Sequence, residues 1–106
     1  MRRTLLALAL LGGSLAMYAD RKDSLQSYNY FFLEAIRQQD MGNLTAAFDL
    51  LRHARELNPQ APEVYYQLAS FYVDMKKDAV AREYFEKAAS LDPENSAYQE
   101  KLGKLY

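Results

Sequence analysis

The stretch PEVYYQLASFYVDMKKDAVAREYFEKAASLDPEN, residues 62–95, decides the fold. It reads as two helical segments, one from Pro62 to about Met75 and one that Asp78 caps, closed by Asp92-Pro93, where a helix cannot continue. The same pattern stands 34 residues upstream: Ala81, Phe85, Ala88, Leu91 and Pro93 answer Ala47, Leu51, Ala54, Leu57 and Pro59, and Tyr65 and Ala69 answer Phe31 and Ala35. Downstream, Leu68, Ala69 and Tyr72 return as Leu102, Gly103 and Tyr106. Self-similarity at this period, built from alternating helical patterns, is the mark of stacked helical hairpins, which offer a surface for holding other proteins rather than a vessel for chemistry.

Working outward, Asn58-Pro59-Gln60-Ala61-Pro62 is a break with a restart, because Pro59 ends one helix while Pro62 suits the first position of the next. Before it a helix is predicted over 44–57, with Asn43 as its N-cap and Gly42 supplying a left-handed turn residue. The first helix is predicted over 24–40, with Leu25, Tyr28, Phe31, Phe32, Ala35 and Ile36 at helical spacing, and with Asp23 and Gln26 placed to form a capping box. A last helix begins at Ser96, capped by Asn95 or Ser96 itself.

The amino terminus reads as an address. Arg2 and Arg3 precede the apolar run Leu5 to Leu11, and Gly12, Gly13 and Ser14 break it. That run is too short for a hydrocarbon core, which needs about 20 residues, so export with cleavage after Ala16, alternatively after Ala19, is the expectation. The expected organisation is a signal peptide at 1–16, a polar connector at 17–23, repeats at 24–61 and 62–95, and at 96–106 the first helix of a third repeat or a capping helix. Removing Arg2 and Arg3 with the leader changes 13 basic against 14 acidic residues to 11 against 14. A mildly acidic balance opposes nucleic-acid binding, which needs lysines and arginines to neutralise phosphates. The chain has no cysteine, which excludes disulfides and thiolate metal sites.

Numbering each unit from Tyr28, Pro62 and Ser96, the chain resembles the tetratricopeptide repeat family. That family's pattern asks for an aromatic at position 4, Leu at 7, a small residue at 8, Tyr at 11, Ala at 20, a large apolar residue at 24, Ala at 27 and Pro at 32. Tyr65, Leu68, Ala69, Tyr72, Ala81, Phe85, Ala88 and Pro93 meet all of it. The first unit meets most, through Phe31, Ala35, Ala47, Leu51, Ala54 and Pro59, but carries Glu34 and Gln38 at positions 7 and 11, as if that face were half exposed. The third shows Leu102, Gly103 and Tyr106, with Gln99 where the aromatic belongs.

The resemblance implies an all-α fold of antiparallel helix hairpins stacked in a right-handed superhelix, with two full repeats and a partial third. It implies a concave face lined by the first helix of each repeat, chiefly through positions 2, 5, 9, 12 and 13. Here the groove candidates on those helices are Asn29, Phe32, Ile36, Glu63, Tyr66, Ser70, Val73 and Asp74. Phe31, Tyr65, Tyr72 and Phe85 fall at packing positions instead. The carboxylate clamp of the chaperone-binding members is absent, because Phe32, Ile36, Gln67, Ala97 and Lys101 occupy its positions. A protein or peptide partner held by apolar contact, as an amphipathic helix or an extended segment, is the expectation.

Chemistry finds no foothold in the sequence. His53, the one histidine, sits beside Arg52 and Arg55 at a convex-side position and reads as a solvated surface residue. No nucleophile has an evident base and no base an evident pocket, so no catalytic residue, cofactor or metal is expected. The reading is an exported interaction module or scaffold in the periplasm or cell envelope of a bacterium, with membrane tethering by an uncleaved leader as the alternative. The rival function is a self-associating unit, joined through Leu102 and Leu105 of the last helix, or the amino-terminal part of a longer array.

Overall fold

The computed structural model describes residues 22–105, all helix and turn. Five helices follow one another among the described residues: α1 (22–40), α2 (Leu44–Leu57), α3 (Pro62–Asp74), α4 (Asp78–Leu91) and α5 (Ser96–Leu105). The expected leader at 1–16 and most of the connector at 17–23 lie outside those residues. The helix has already begun at Lys22, so the last two connector residues are helical and Asp23 cannot cap a helix that starts at Ser24.

Close approach of the helices rests on alanine. Ala35, Ala47, Ala54, Ala69, Ala81 and Ala88 are all closed to solvent, at positions 8, 20 and 27 of the two units. A methyl side chain there lets two backbones approach, and the large residues fill the space above and below. Leu51 and Phe85 at position 24 and Leu68 at position 7 supply that filling. One cluster joins Tyr28 and Ala35 of α1 to Ala47, Leu51 and Ala54 of α2 and to Val64, Leu68 and Phe71 of α3. Two more carry the stack onward, Ala69 with Ala81 and Phe85, and Tyr65 with Ala88, Ala89 and Tyr98. Each hairpin therefore buries its faces against the next, which is what makes the molecule an all-α helical-repeat solenoid.

Both hairpin turns use one device. Gly42 (φ 85°) and Lys76 (φ 60°) stand 34 residues apart in left-handed backbone just past the ends of α1 and α3. Around them Asn43 N–H donates to Gln38 C=O (2.8 Å) and Gly42 N–H to Gln39 C=O (3.0 Å). Lys77 N–H donates likewise to Tyr72 C=O (2.8 Å) and Lys76 N–H to Val73 C=O (2.9 Å). These are paired Schellman closures, which satisfy the last carbonyls of each helix. Asn43 flanks α2 as expected but makes no side-chain cap; its Nδ2 donates to Gln38 Oε1 at 2.8 Å. Asp78 is the first residue of α4 and Lys77 its N-cap, one position earlier than expected. Asn95 does cap α5, its Oδ1 accepting Ala97 N–H at 3.0 Å.

The polar residues of the first unit are explained by their partners. Glu34 and Gln38 are half-buried; Glu34 accepts from Arg37 (2.5 and 3.0 Å) and from Gln38 Nε2 (2.9 Å). Hydrogen bonding to Arg37 and Gln38 holds the Glu34 carboxyl at about 2, below the usual range. In the last unit the missing aromatic reappears one residue early. Tyr98 is buried where Gln99 is exposed, and its ring meets Tyr66 at 5.1 Å.

Candidate interaction surface

α1, α3 and α5 are the first helices of their units, and the eight expected groove residues divide between α1 and α3. On α1, Asn29 is exposed, Ile36 is half-buried, and half-buried Phe32 stacks on Tyr28 with ring centroids 5.8 Å apart. Glu63 of α3 accepts a hydrogen bond from the Tyr28 hydroxyl and so ties the two helices together. Burial and that bond push the Tyr28 hydroxyl far above the usual tyrosine value. Tyr98 is raised too, by burial and then by the nearby Glu63 and Asp92 carboxylates. These hydroxyls stay protonated at any physiological pH.

Tyr66 is half-buried and has packing partners, because its ring lies 5.6 Å from Phe85 and 5.1 Å from Tyr98. The Ser70 hydroxyl donates to the Tyr66 carbonyl at 3.2 Å, an internal bond that turns it back along α3. Val73 is 38% exposed and Asp74 is exposed.

Ser70, Val73 and Asp74 come together in one depression of about 350 Å³, with Phe85 of α4 and with Lys101 and Lys104 of α5. A second, of about 250 Å³, is mainly apolar and is lined by Leu44, Thr45, Phe48, Phe71, Asp74 and Met75. Asp74 borders both, so the carboxyl end of α3 is the ridge between them. Asn29, Phe32, Ile36, Glu63 and Tyr66 line neither. Leu44 and Met75, which line the second depression together, are exposed at 54% and 43%.

Sequence reasoning left Lys104, Leu44 and Met75 out of the groove and weighed Lys101 only as a position of the carboxylate clamp. Lys104 had a signal: position 9 of the unit that begins at Ser96 is the place Ser70 and Ile36 hold in theirs. Lys101 at position 6 and the residues of the second depression lie off the positions used.

The opposite side differs from expectation at one residue. His53 is exposed, yet its ring meets Phe31 edge-on at 4.4 Å and its Nδ1 lies 3.8 Å from Glu56. A run of aromatic contacts joins α2, α3 and α4 through Phe48, Phe71, Tyr72, Tyr84 and Tyr65, with Arg52 5.8 Å from the Phe48 ring centroid and Arg55 5.8 Å from that of Tyr84. Arg55 also donates to the Tyr84 hydroxyl.

Among the described residues no group of three His, Cys, Asp or Glu could hold a metal ion, and no helix is long and apolar enough to cross a membrane. The repeating hairpins, the alanine positions and the paired turns define a helical-repeat protein. A family model described as tetratricopeptide repeat matches residues 38–105, and the chain belongs to that family. The match covers everything from the last turn of α1 to α5 and leaves out most of α1, where Glu34 departs from the pattern. A search of curated proteins returned no match. Membership points to a protein–protein interaction module, in a family that is in general not catalytic.

Proposed function

We propose that this chain is an exported interaction module of a bacterial cell envelope that holds a partner protein or peptide on the face formed by α1, α3 and α5. The observation that carries this reading is the meeting of Ser70, Val73 and Asp74, three of the eight expected groove residues, in one depression that α5 completes. The second depression extends the apolar surface across the ridge at Asp74, which suits a segment lying across several helices. Export rests on the Arg2-Arg3 pair, the apolar run to Leu11 and the small residues that follow.

A photo-crosslinking residue placed at Val73, compared with one at Lys87 on the exposed side of α4 opposite Phe85, tests the face. Envelope extracts should give a discrete adduct from Val73 and none from Lys87; adducts from Lys87 alone would move the binding face to the other side. N-terminal sequencing of protein made in an exporting bacterial host tests the address, with Met17 or Asp20 as the expected first residue. Intact Met1 on soluble cytoplasmic material would overturn it.

A further inference from the structure

Tyr30, Leu33, Arg37 and Met41 stand at positions 3, 6, 10 and 14 of the first unit, a helical spacing that puts them on one side of α1, opposite buried Tyr28 and Ala35. In the later units that side grips the hairpin before it. Val64 and Phe71, at positions 3 and 10 of α3, are buried in one cluster with Tyr28, Ala35, Ala47 and Leu51, and Tyr98, at position 3 of α5, is buried with Tyr65, Ala88 and Ala89. On α1 the same side is open. Tyr30, Leu33 and Met41 are 64%, 65% and 60% exposed, the highest values among the large apolar side chains of the described residues. Leu33 is apolar where the other units carry half-buried Gln67 and exposed Lys101. A terminal repeat needs a polar outer face to stay soluble alone, and this one keeps the character of a stacking surface.

We infer that this side of α1 pairs with the same side of α1 in a second copy of the chain, across a two-fold axis. Charge favours that occupant. The one cation on the stripe, Arg37, is answered within its own helix by Glu34 at 2.5 and 3.0 Å and lies 3.9 Å from Met41 Sδ, so a charged segment finds nothing unpaired to grip and a second copy meets no bare like charge. Head-to-tail stacking lacks a seat, because α5 exposes Gln99, Glu100, Lys101 and Lys104 and no large apolar side chain among its described residues. A two-fold contact needs only the patch itself. Laid antiparallel, the two helices bring Tyr30 of each copy to the partner's Met41 and Leu33 beside the stem of the partner's Arg37. None of these side chains stands at positions 2, 5, 9, 12 or 13, so the face proposed for a partner protein stays open and is not at stake here.

Sedimentation equilibrium of the purified protein over about a hundredfold range of concentration tests this. A monomer–dimer equilibrium in the micromolar range is expected, because one helix pair is a small interface. Leu33→Glu should weaken dimerisation about tenfold or more while leaving the urea midpoint near that of the unmodified chain, since the side chain is exposed. The chain has no cysteine, so Tyr30→Cys and Met41→Cys read the orientation directly. Mixed under mild oxidation, these two variants should form a disulfide-linked dimer faster than either does alone, and they carry the test if Leu33→Glu unfolds the protein. A monomer at every concentration, or a dimer of equal strength in Leu33→Glu, would overturn the inference. Assemblies that grow past the dimer, faster cross-linking of either cysteine variant alone, or a dimer lost in Gln99→Arg on α5 and kept in Leu33→Glu would overturn the two-fold pairing of α1.

Discussion

Phe85 is 2% exposed and touches Tyr66 of α3, and its cluster gathers Tyr72, Tyr84 and Leu102 around Ala69 and Ala81. A ring with neighbours on three helices leaves a large void when removed, so Phe85→Ala should cost about 3–5 kcal/mol. Ala81→Leu should cost about 1–3 kcal/mol by overpacking, because Ala81 has no exposed surface and sits where α3 and α4 approach. Urea melts of both variants check this, and losses near zero would mean that these contacts do not hold the hairpin. Tyr66 cannot serve as a clean probe of binding, since its contacts with Phe85 and Tyr98 make Tyr66→Ala a stability variant as well. Glu34 gives a pH prediction. Its folded value of about 2 lies below the ordinary 4.5, so its contribution is complete above about pH 4.5 and is lost as pH falls toward 2. Glu34→Gln should therefore show a shallower fall of urea midpoint over that window than the unmodified chain, most plainly at low salt. At this scale the buried alanines and Phe85 were legible because steric demand repeats at fixed intervals. Tyr98 was not, because a one-residue shift on the last helix still reaches the same seam, and pattern matching looks only at Gln99.

The α1–α2 and α3–α4 turns are each closed by the backbone, whatever side chain stands in the left-handed position. Gly42 meets that demand at no steric cost, whereas Lys76 at φ 60° meets it with a Cβ. Replacing Lys76 by glycine should stabilise the protein by roughly 0.5–1 kcal/mol, the relief of strain being offset in part by the freer unfolded chain. Thermal melts at matched concentration measure it, and a loss of stability would mean that the lysine stem supports the turn. The four helices that follow α1 were legible almost to the residue, because proline, glycine and asparagine punctuate them. The start of α1 was not, since Lys22 and Asp23 are compatible with either connector or helix until the chain around them is placed. The cap position at Asn43 was read correctly and that at Asp78 was one residue late, but composition only names a competent capping residue, and only geometry shows that the Asn43 side chain turns to Gln38 instead of to the helix.

In the whole molecule, α3 is the middle of the stack. It buries Val64, Tyr65, Leu68, Ala69 and Phe71 against helices on both sides, while α5 is held through Tyr98 and half-buried Leu102. In a stack coupled only through neighbours, opening should begin at the less secured helix. Hydrogen exchange followed by mass spectrometry should find the amides of 96–105 exchanging first and those of α3 last; protection of α5 equal to that of α3 would contradict this. Because α5 completes the depression, a partner bound on the proposed face should slow exchange there. The depression was half legible in the sequence: Ser70, Val73 and Asp74 stand at expected groove positions, whereas the lysines that complete it come from the partial third unit, to which the groove positions were not extended. One further consequence follows from where the rings lie. The chain has no tryptophan, and six of its tyrosines (Tyr28, Tyr65, Tyr66, Tyr72, Tyr84 and Tyr98) sit in the seams between helices, while Tyr30 is 64% exposed. Chirally fixed phenols are optically active in the near ultraviolet and freely turning ones are nearly silent. The protein therefore carries its own unlabelled gauge of stacking, one that reads the joints between hairpins separately from the helicity within them.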